Sequence, residues 1–264
     1  MSRAVLRTIL SFAATALAGQ IAAGIHLQEV YFTGSTRLEG VDLAKCGGEL
    51  KSRIYEGRDW ADDLTRVVET ECLEDKGYLK PVVKASIQQL PDRKSTHQFV
   101  ITFDIDAGPR YRLEHITFRG NHAMSDTNAL RGLFPIQDGR VVDRTTMAKG
   151  LENLRLAYLE MGYINIVSIP APTFDDAEKV VSFDIDVDEG KQFRISTIDI
   201  VGADVQVLND LRLKPGEVYN ERLVNLFLRK HLPGAVVNDP RCHRALDEQN
   251  GTVALTFDFR RRTE

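Results

Sequence analysis

The chain has 264 residues, of which 43% are hydrophobic and 27% charged, a composition that excludes a polytopic membrane protein and a disordered chain. Its formal net charge is −4, and such an acidic chain lacks the basic stripe that neutralises phosphates, so we expect no nucleic-acid partner. A chain of this length predicts several modules of roughly 75 to 85 residues, each with a modest core.

The first 24 residues differ from the rest of the chain. Arg3 and Arg7 precede an uncharged run rich in alanine and leucine, an order typical of an export segment. Two interpretations stay open. Residues 1–24 are either a signal peptide that is cleaved after export or an N-terminal anchor that is retained, because the run is close to the minimum of about 18 residues that spans a bilayer.

Two stretches of the sequence align without a gap. They read FDIDAGPRYRLEHITFRG at 103–120 and IDVDEGKQFRISTIDIVG at 185–202, and both alternate apolar and polar residues as strand, turn and strand do. Residues 27–34 repeat the second half of this pattern near the start of the chain. The internal repeat predicts a chain of similar modules.

Helical patterns lie between the predicted strands. Residues 60–76 and 143–161 place apolar side chains at helical spacing, and both stretches end at a glycine–tyrosine pair, Gly77-Tyr78 and Gly162-Tyr163. A shorter helical stretch precedes each of them, and two strand patterns follow. The order within one repeat is therefore β-α-α-β-β.

This order predicts an α+β fold with three tandem modules, each a small mixed sheet with two helices on one face. The expected boundaries are residues 25–109, 110–190 and 191–264. We expect the third module to be degenerate, because its middle strand would fall within 236–250, a stretch that contains Pro240 and many polar residues.

Three cysteines are an odd number for an oxidising compartment. Cys46 and Cys72 would lie on the two helices of the first module, where a disulfide would add on the order of 3 kcal/mol. The alternative of two buried thiols that never meet stays open. Cys242 is left over, and its neighbour His243 does not make a metal site without further ligands.

Motifs of enzymes are missing from the sequence. It contains no nucleophile elbow, no HExxH zinc motif, no phosphate-binding glycine loop and no CxxC pair. The alternating acids Asp104 and Asp106, and Asp184, Asp186 and Asp188, are more typical of the polar face of a half-buried sheet than of a cation site. The sequence predicts a protein that is not an enzyme, with no cofactor, no metal and no small-molecule substrate.

A family resemblance rests on these features together. The tandem β-α-α-β-β order after an export segment, the strand opening ITFRGN at 116–121, Gly139 and Asp143 before the long helix and Gly162-Tyr163 after it resemble POTRA repeats. Such repeats precede the barrel in outer-membrane barrel-assembly proteins of the BamA and TamA superfamily. The resemblance covers about residues 26–262. It implies a periplasmic scaffold, associated with the outer membrane of a Gram-negative-type cell, that binds unfolded outer-membrane or secreted polypeptides.

The superfamily also implies a membrane partner. Its members continue into a barrel, whereas this sequence ends after a module-closing strand, so we expect an accessory that acts with a separate outer-membrane barrel protein in assembly or secretion. One alternative is an inner-membrane-anchored POTRA scaffold of the cell-division (FtsQ) type, which requires an uncleaved N-terminal run. Another is a hydrolase on an unfamiliar fold.

Strand addition is the binding mode that the resemblance implies. An outer strand of a three-stranded sheet leaves N–H and C=O groups that a second extended chain can complete. The candidate edges are residues 81–88 and 164–169. The residues expected to bind peptide there are Val82, Val83, Ile87, Ile164, Ile166, Val167 and Ile169. The alternative is that a neighbouring module covers these strands or that they only pack their own core.

Overall fold

The structure, a computed structural model, describes residues 25–56, 59–91 and 98–260. The predicted export segment, residues 1–24, lies outside this part. No helix of the described residues is long and apolar enough to cross a bilayer.

The strands are β1 (His26–Gly34), β2 (Val82–Gln89), β3 (Gln98–Asp106), β4 (Arg112–Arg119), β5 (Val167–Asp175), β6 (Val180–Asp188), β7 (Arg194–Val201), β8 (Cys242–Asp247) and β9 (Thr252–Asp258). The α-helices are α1 (Leu43–Ser52), α2 (Trp60–Val67), α3 (Thr127–Gly132), α4 (Arg144–Glu160) and α5 (Glu221–His231).

The strands form three separate three-stranded sheets with one topology. Their orders are β1-β3-β2, β4-β6-β5 and β7-β9-β8. In each sheet the first strand runs parallel to the central third strand, and the second strand runs antiparallel to it. The prediction of an α+β fold with small mixed sheets is confirmed.

The middle strand of the third module, which the sequence signals weakly, is β8, so the third sheet has three strands like the other two. Pro240 lies in the turn that precedes β8 and therefore removes no hydrogen bond from the sheet. His243 and Asp247 of this strand lie at exposed positions, as expected for a half-buried edge strand, whereas Arg244 is largely buried and pairs with Glu221 (2.7 Å). The reduced element is the first helix of this module, which is a short 3₁₀ turn at Val205–Asp210.

The chain divides into two compact units. The first comprises the described residues up to Cys72 together with Val82–Asp106 and contains the first sheet. The second comprises Leu73–Pro81 and the chain from Ala107 onward, and it contains the second and third sheets.

The first unit packs α1 and α2 on one face of its sheet. Ile101 and Phe103 of the central strand and Leu64 of α2 are fully buried. The Phe32 ring stacks on that of Phe103, with centroids 5.8 Å apart. Burial of such side chains contributes on the order of 2 kcal/mol each. The edge strand β2 is thereby held against α2 by a packed core.

The second unit joins its two sheets through the residues that follow α4. Gly162 has φ +86°, and a Cβ atom there would lie 2.7 Å from Val218 Cγ1 and 3.0 Å from the carbonyl oxygen of Phe193. Only glycine tolerates both this conformation and this approach. Two residues later, Ile164 is buried in the core of the third sheet. The joint is therefore a packed interface inside the unit.

A π-helical turn, Val68–Leu73, follows α2. Its first and last side chains, Val68 and Leu73, are both fully buried although they are five residues apart. The corresponding buried pair on α4, Leu154 and Tyr158, is separated by the usual four residues. The first module thus carries one extra residue, and the π turn accommodates it while keeping both apolar side chains in the core.

Candidate functional site

The outer edge of β2 is open. β3 pairs with one side of this strand, and within the described residues no strand pairs with the other. The Leu90 N–H donates to the Gln98 carbonyl (3.0 Å), so even-numbered residues direct their backbone groups toward β3. The Val83 N–H points away and donates to Glu69 Oε1 (3.3 Å). By the same alternation, the outward-facing residues that follow are Ala85, Ile87 and Gln89.

Apolar side chains accompany this edge. Val82 is 53% and Ile87 44% exposed, although Ile87 lies opposite the fully buried Ile101 in the ladder. The rings of Trp60, at the start of α2, and Phe99, near the start of β3, pack with centroids 5.0 Å apart. A strand added to β2 would gain apolar contact at Ile87 in addition to backbone hydrogen bonds.

The equivalent edge of the second sheet is blunted by proline. Pro170 and Pro172 of β5 pair with Ile185 and Phe183, in the register that Ala85 and Ile87 have in β2. Both prolines therefore occupy outward-facing positions and offer no N–H to a new strand. Val167 and Ile169 of the same strand are 50% and 61% exposed. The backbone N–H groups of Val167 and Ile169 point toward β6, so they are not available to an added strand.

The corresponding edge of the third sheet is partly occupied. The Cys242 N–H, at the start of β8, donates to the carbonyl oxygen of Asp239 (3.0 Å), and the Cys242 carbonyl accepts from the Asn238 N–H (2.8 Å). The turn before β8 thus satisfies its first outward residue. Arg244 and Leu246 are the outward residues that remain.

The opposite edges are interrupted as well. The parallel registers of β1, β4 and β7 each shift by a bulge, which lies between Leu27 and Glu29 in β1. A bulge disrupts the regular spacing of donors and acceptors along an edge. The register of β2, in contrast, runs from Val82 to Gln89 without a bulge.

Two of the predicted edge residues lie elsewhere. Ile164 and Ile166 precede β5 instead of forming it. Ile164 is buried in the core of the third sheet, and Ile166 packs, partly buried, against the core of the second. Their apolar alternation reflects two adjacent cores, so the prediction that they lie on a free edge is wrong. Val83 is on the predicted edge, but its side chain is buried and its N–H is bonded to Glu69.

The π turn is fastened to α1 and to the sheet. Cys72 forms a disulfide with Cys46 of α1, with Cα atoms 6.2 Å apart. Glu71 pairs with Arg53 just after α1 (3.1 Å), and Glu69 accepts from Val83 in β2. The third cysteine, Cys242, is a free buried thiol, and burial is the main reason that its pKa rises to about 12.

The alternating acids on β6 contact side chains of β4. The Thr117 hydroxyl donates to Asp184 and Arg119 pairs with it at 2.9 Å, and both contacts hold the pKa of this carboxyl below its usual range. Arg119 also lies 3.6 Å from Asp186. Among the residues that the structure describes, no group of three or more histidines, cysteines and acids could hold a metal ion.

Three further residues bear on these edges, and the sequence carries a signal for each of them. Pro170 and Pro172 lie in the strand pattern that follows Gly162-Tyr163, and proline at such positions indicates an edge that lacks N–H donors. Glu69 could be suspected from the five-residue spacing of Val68 and Leu73, which does not fit an α-helix. Its contact with Val83 depends on packing between distant residues and requires the structure.

The folded chain is similar to a solved structure of three modules. The crystal structure of Haemophilus influenzae BamA POTRA3-5 superposes with a TM-score of 0.63 at 19% identity, over 92% of this chain and 99% of that one. Residues 111–190 match the POTRA family model, described as a surface antigen variable number repeat. The chain contains a POTRA module and has the fold of three such modules in tandem. The matched stretch begins next to β4 and ends just after β6, so it is one complete module, the second of the chain.

Two curated proteins are similar to this chain in sequence. A candidate outer membrane protein assembly factor of Treponema pallidum is 28% identical over 174 residues, which are 61% of this chain and 20% of that protein. The outer membrane protein assembly factor BamA of Buchnera aphidicola is 25% identical over 236 residues, 79% of this chain and 37% of that protein. The chain thus spans well under half the length of the curated relatives that it matches.

Proposed function

We propose that this POTRA chain is a non-enzymatic periplasmic scaffold that binds unfolded polypeptides during outer-membrane protein assembly or secretion. Two relatives that carry the name of outer membrane protein assembly factors support the process. The scaffold would act together with an outer-membrane barrel protein. Its clients would be outer-membrane or secreted polypeptides in an extended conformation, which can offer a full set of backbone donors and acceptors.

The edge of β2 is the observation that carries the binding mode. Ala85, Ile87 and Gln89 direct their backbone groups outward in an uninterrupted run without proline. The equivalent run in β5 loses two donors to proline, and the run in β8 begins with a residue that a turn already occupies. We therefore place client binding on the first module, by addition of an antiparallel or parallel strand to β2.

The second module supplies the design of a test. Ala85 and Ile87 occupy the register positions of Pro170 and Pro172, so the double variant Ala85→Pro with Ile87→Pro transfers a pattern that this fold already tolerates. Neither position donates to β3, and the sheet should keep its ladder. The matched control is Ala85→Gly with Ile87→Val, which keeps both N–H groups.

Binding is measured by titrating the full chain into a dye-labelled, urea-unfolded outer-membrane barrel polypeptide after dilution from urea, with fluorescence anisotropy as the signal. The double proline variant should bind at least tenfold more weakly than the control variant. Trp60 fluorescence checks that the first module is folded. Equal affinity of a folded proline variant and its control would remove β2 as the binding edge.

A further inference from the structure

The extra residue of the π turn carries a consequence for the β2 edge. Glu69 lies in the π turn directly after the buried Val68, and its carboxylate accepts from the first outward N–H of β2, at Val83 (3.3 Å). The corresponding buried pair of the second module is spaced without an insertion, and α4 continues as a regular helix through it. The first module therefore differs from the second in having a carboxylate placed at the start of its open edge.

We propose that Glu69 is a gate that determines where an added strand can pair with β2. This proposal rests on the proposed function of the same edge. The Val83 N–H cannot donate to the Glu69 carboxylate and to the carbonyl of a client at the same time. Glu69 thereby confines an added strand to the run from Ala85 to Gln89 and selects clients by register and length.

The surroundings of Glu69 keep the gate in place. Glu71, two residues on, is paired with Arg53, and Cys72, three residues on, is bonded to Cys46. Both partners belong to α1 or its end, so the π turn is fixed from the side opposite to β2. An acceptor held in this way loses little conformational entropy when it binds the N–H. A client carbonyl that binds the Val83 N–H must displace the Glu69 carboxylate, and a charged acceptor forms a stronger hydrogen bond than a neutral carbonyl.

The variant Glu69→Ala removes the gate. Glu69→Gln keeps an acceptor oxygen at the same distance along the side chain, and Glu71→Ala removes a carboxylate from the same turn without touching Val83. Amide hydrogen exchange of the four proteins, as ¹⁵N-labelled full chains, is followed by NMR with and without an excess of a terminally capped peptide of alternating threonine and valine. The affinity for this peptide is measured by calorimetry.

We expect the peptide to protect the amides of Ala85, Ile87 and Gln89 in all four proteins. In Glu69→Ala alone, the Val83 amide should exchange quickly in the free protein and become protected when the peptide is added. This variant should bind the peptide roughly fivefold more tightly, the factor that one net hydrogen bond provides.

Two other outcomes separate the gate from the edge. If the three downstream amides are protected but Glu69→Ala binds no more tightly and gains no peptide-dependent protection at Val83, the gate is refuted and the edge stands. If no amide of β2 is protected in any of the four proteins, the binding mode itself fails and the gate fails with it.

Discussion

Asn220 joins two helices of the second unit by donating from Nδ2 to the carbonyl oxygen of Glu160 (2.6 Å), the last residue of α4. The same side chain accepts from the Leu223 N–H (3.1 Å) and so serves as the N-cap of α5. One amide group therefore satisfies a free carbonyl at the end of one helix and a free donor at the start of the next.

Loss of this side chain should destabilise the second unit. Asn220→Ala removes the cap and the hydrogen bond to Glu160, and together these contribute about 2 kcal/mol to the free energy of unfolding. Asn220→Asp keeps a capping oxygen but loses the donor, so its cost should be about half as large. Urea unfolding monitored by far-UV circular dichroism measures both. A stability of Asn220→Asp equal to that of the wild-type chain would mean that the contact with Glu160 contributes nothing, and equal losses for the two variants would mean that the cap contributes nothing.

The prolines of β5 should be replaceable with a gain of function. Pro170→Ala with Pro172→Ile gives the second module the two outward residues of β2. Introduced into the chain that carries Ala85→Pro and Ile87→Pro, this change should restore measurable binding of the unfolded barrel polypeptide in the anisotropy titration. Pro170→Ala with Pro172→Val, an equally open edge with a smaller side chain, should restore part of it. A second edge that stays inactive in both variants would show that donors alone do not make the site.

The disulfide should stabilise the first unit. Cys46 and Cys72 are separated by 26 positions, and opening a loop of this size costs about 3 kcal/mol in unfolding free energy. We expect Cys46→Ser with Cys72→Ser to lower the urea midpoint reported by Trp60, the single tryptophan of the sequence. Dithiothreitol should move the wild-type midpoint to that of the variant and leave the variant unchanged. A wild-type midpoint that does not respond to complete reduction would contradict this contribution.

Cys242 should be chemically silent in the folded chain. Its thiol is fully buried, and a pKa raised to about 12 leaves about one molecule in ten thousand as thiolate at pH 8. An aromatic disulfide reagent should therefore label the folded, oxidised chain only as fast as the third sheet opens, and guanidinium should make labelling immediate. In an opened form the Cys242 thiol is exposed and has the ordinary cysteine pKa of about 8.5. Its labelling rate should therefore rise tenfold per pH unit below about pH 8, because the thiolate fraction does. Rapid labelling without denaturant would place Cys242 at the surface.

The modular plan of this protein is readable from its sequence because it rests on local signals. The gapless match of 103–120 with 185–202 marks strands that occupy equal positions in two sheets, and the glycines before Tyr78 and Tyr163 both have positive φ. The pairing of the second and third strands of each module follows from the β-α-α-β-β order, because a hairpin makes its two strands neighbours. These features depend on residues that are close along the chain.

The binding edge is harder to predict because it depends on which backbone groups remain unsatisfied. Ile164 has the alternation of an edge strand, yet its side chain enters the core of the next sheet. The β8 strand was obscured by polar residues that an edge position tolerates. Glu69 becomes significant only when a helix insertion brings it to Val83, a residue 14 positions away. Such relationships are set by tertiary packing and leave a weak mark in the sequence.

The brevity of the β2 edge has a consequence for how long a client would stay bound. Three outward residues, each with one N–H and one C=O, can contribute several kcal/mol in net hydrogen bonds. Association costs about 4–15 kcal/mol, so backbone pairing alone leaves an affinity that is weak on a cellular scale. Differences in affinity between related complexes appear mostly in the dissociation rate, so a weakly bound strand would have a short residence time. A scaffold with such an edge would release each client segment soon after binding it. Short-lived binding suits the transfer of a long polypeptide better than its prolonged retention.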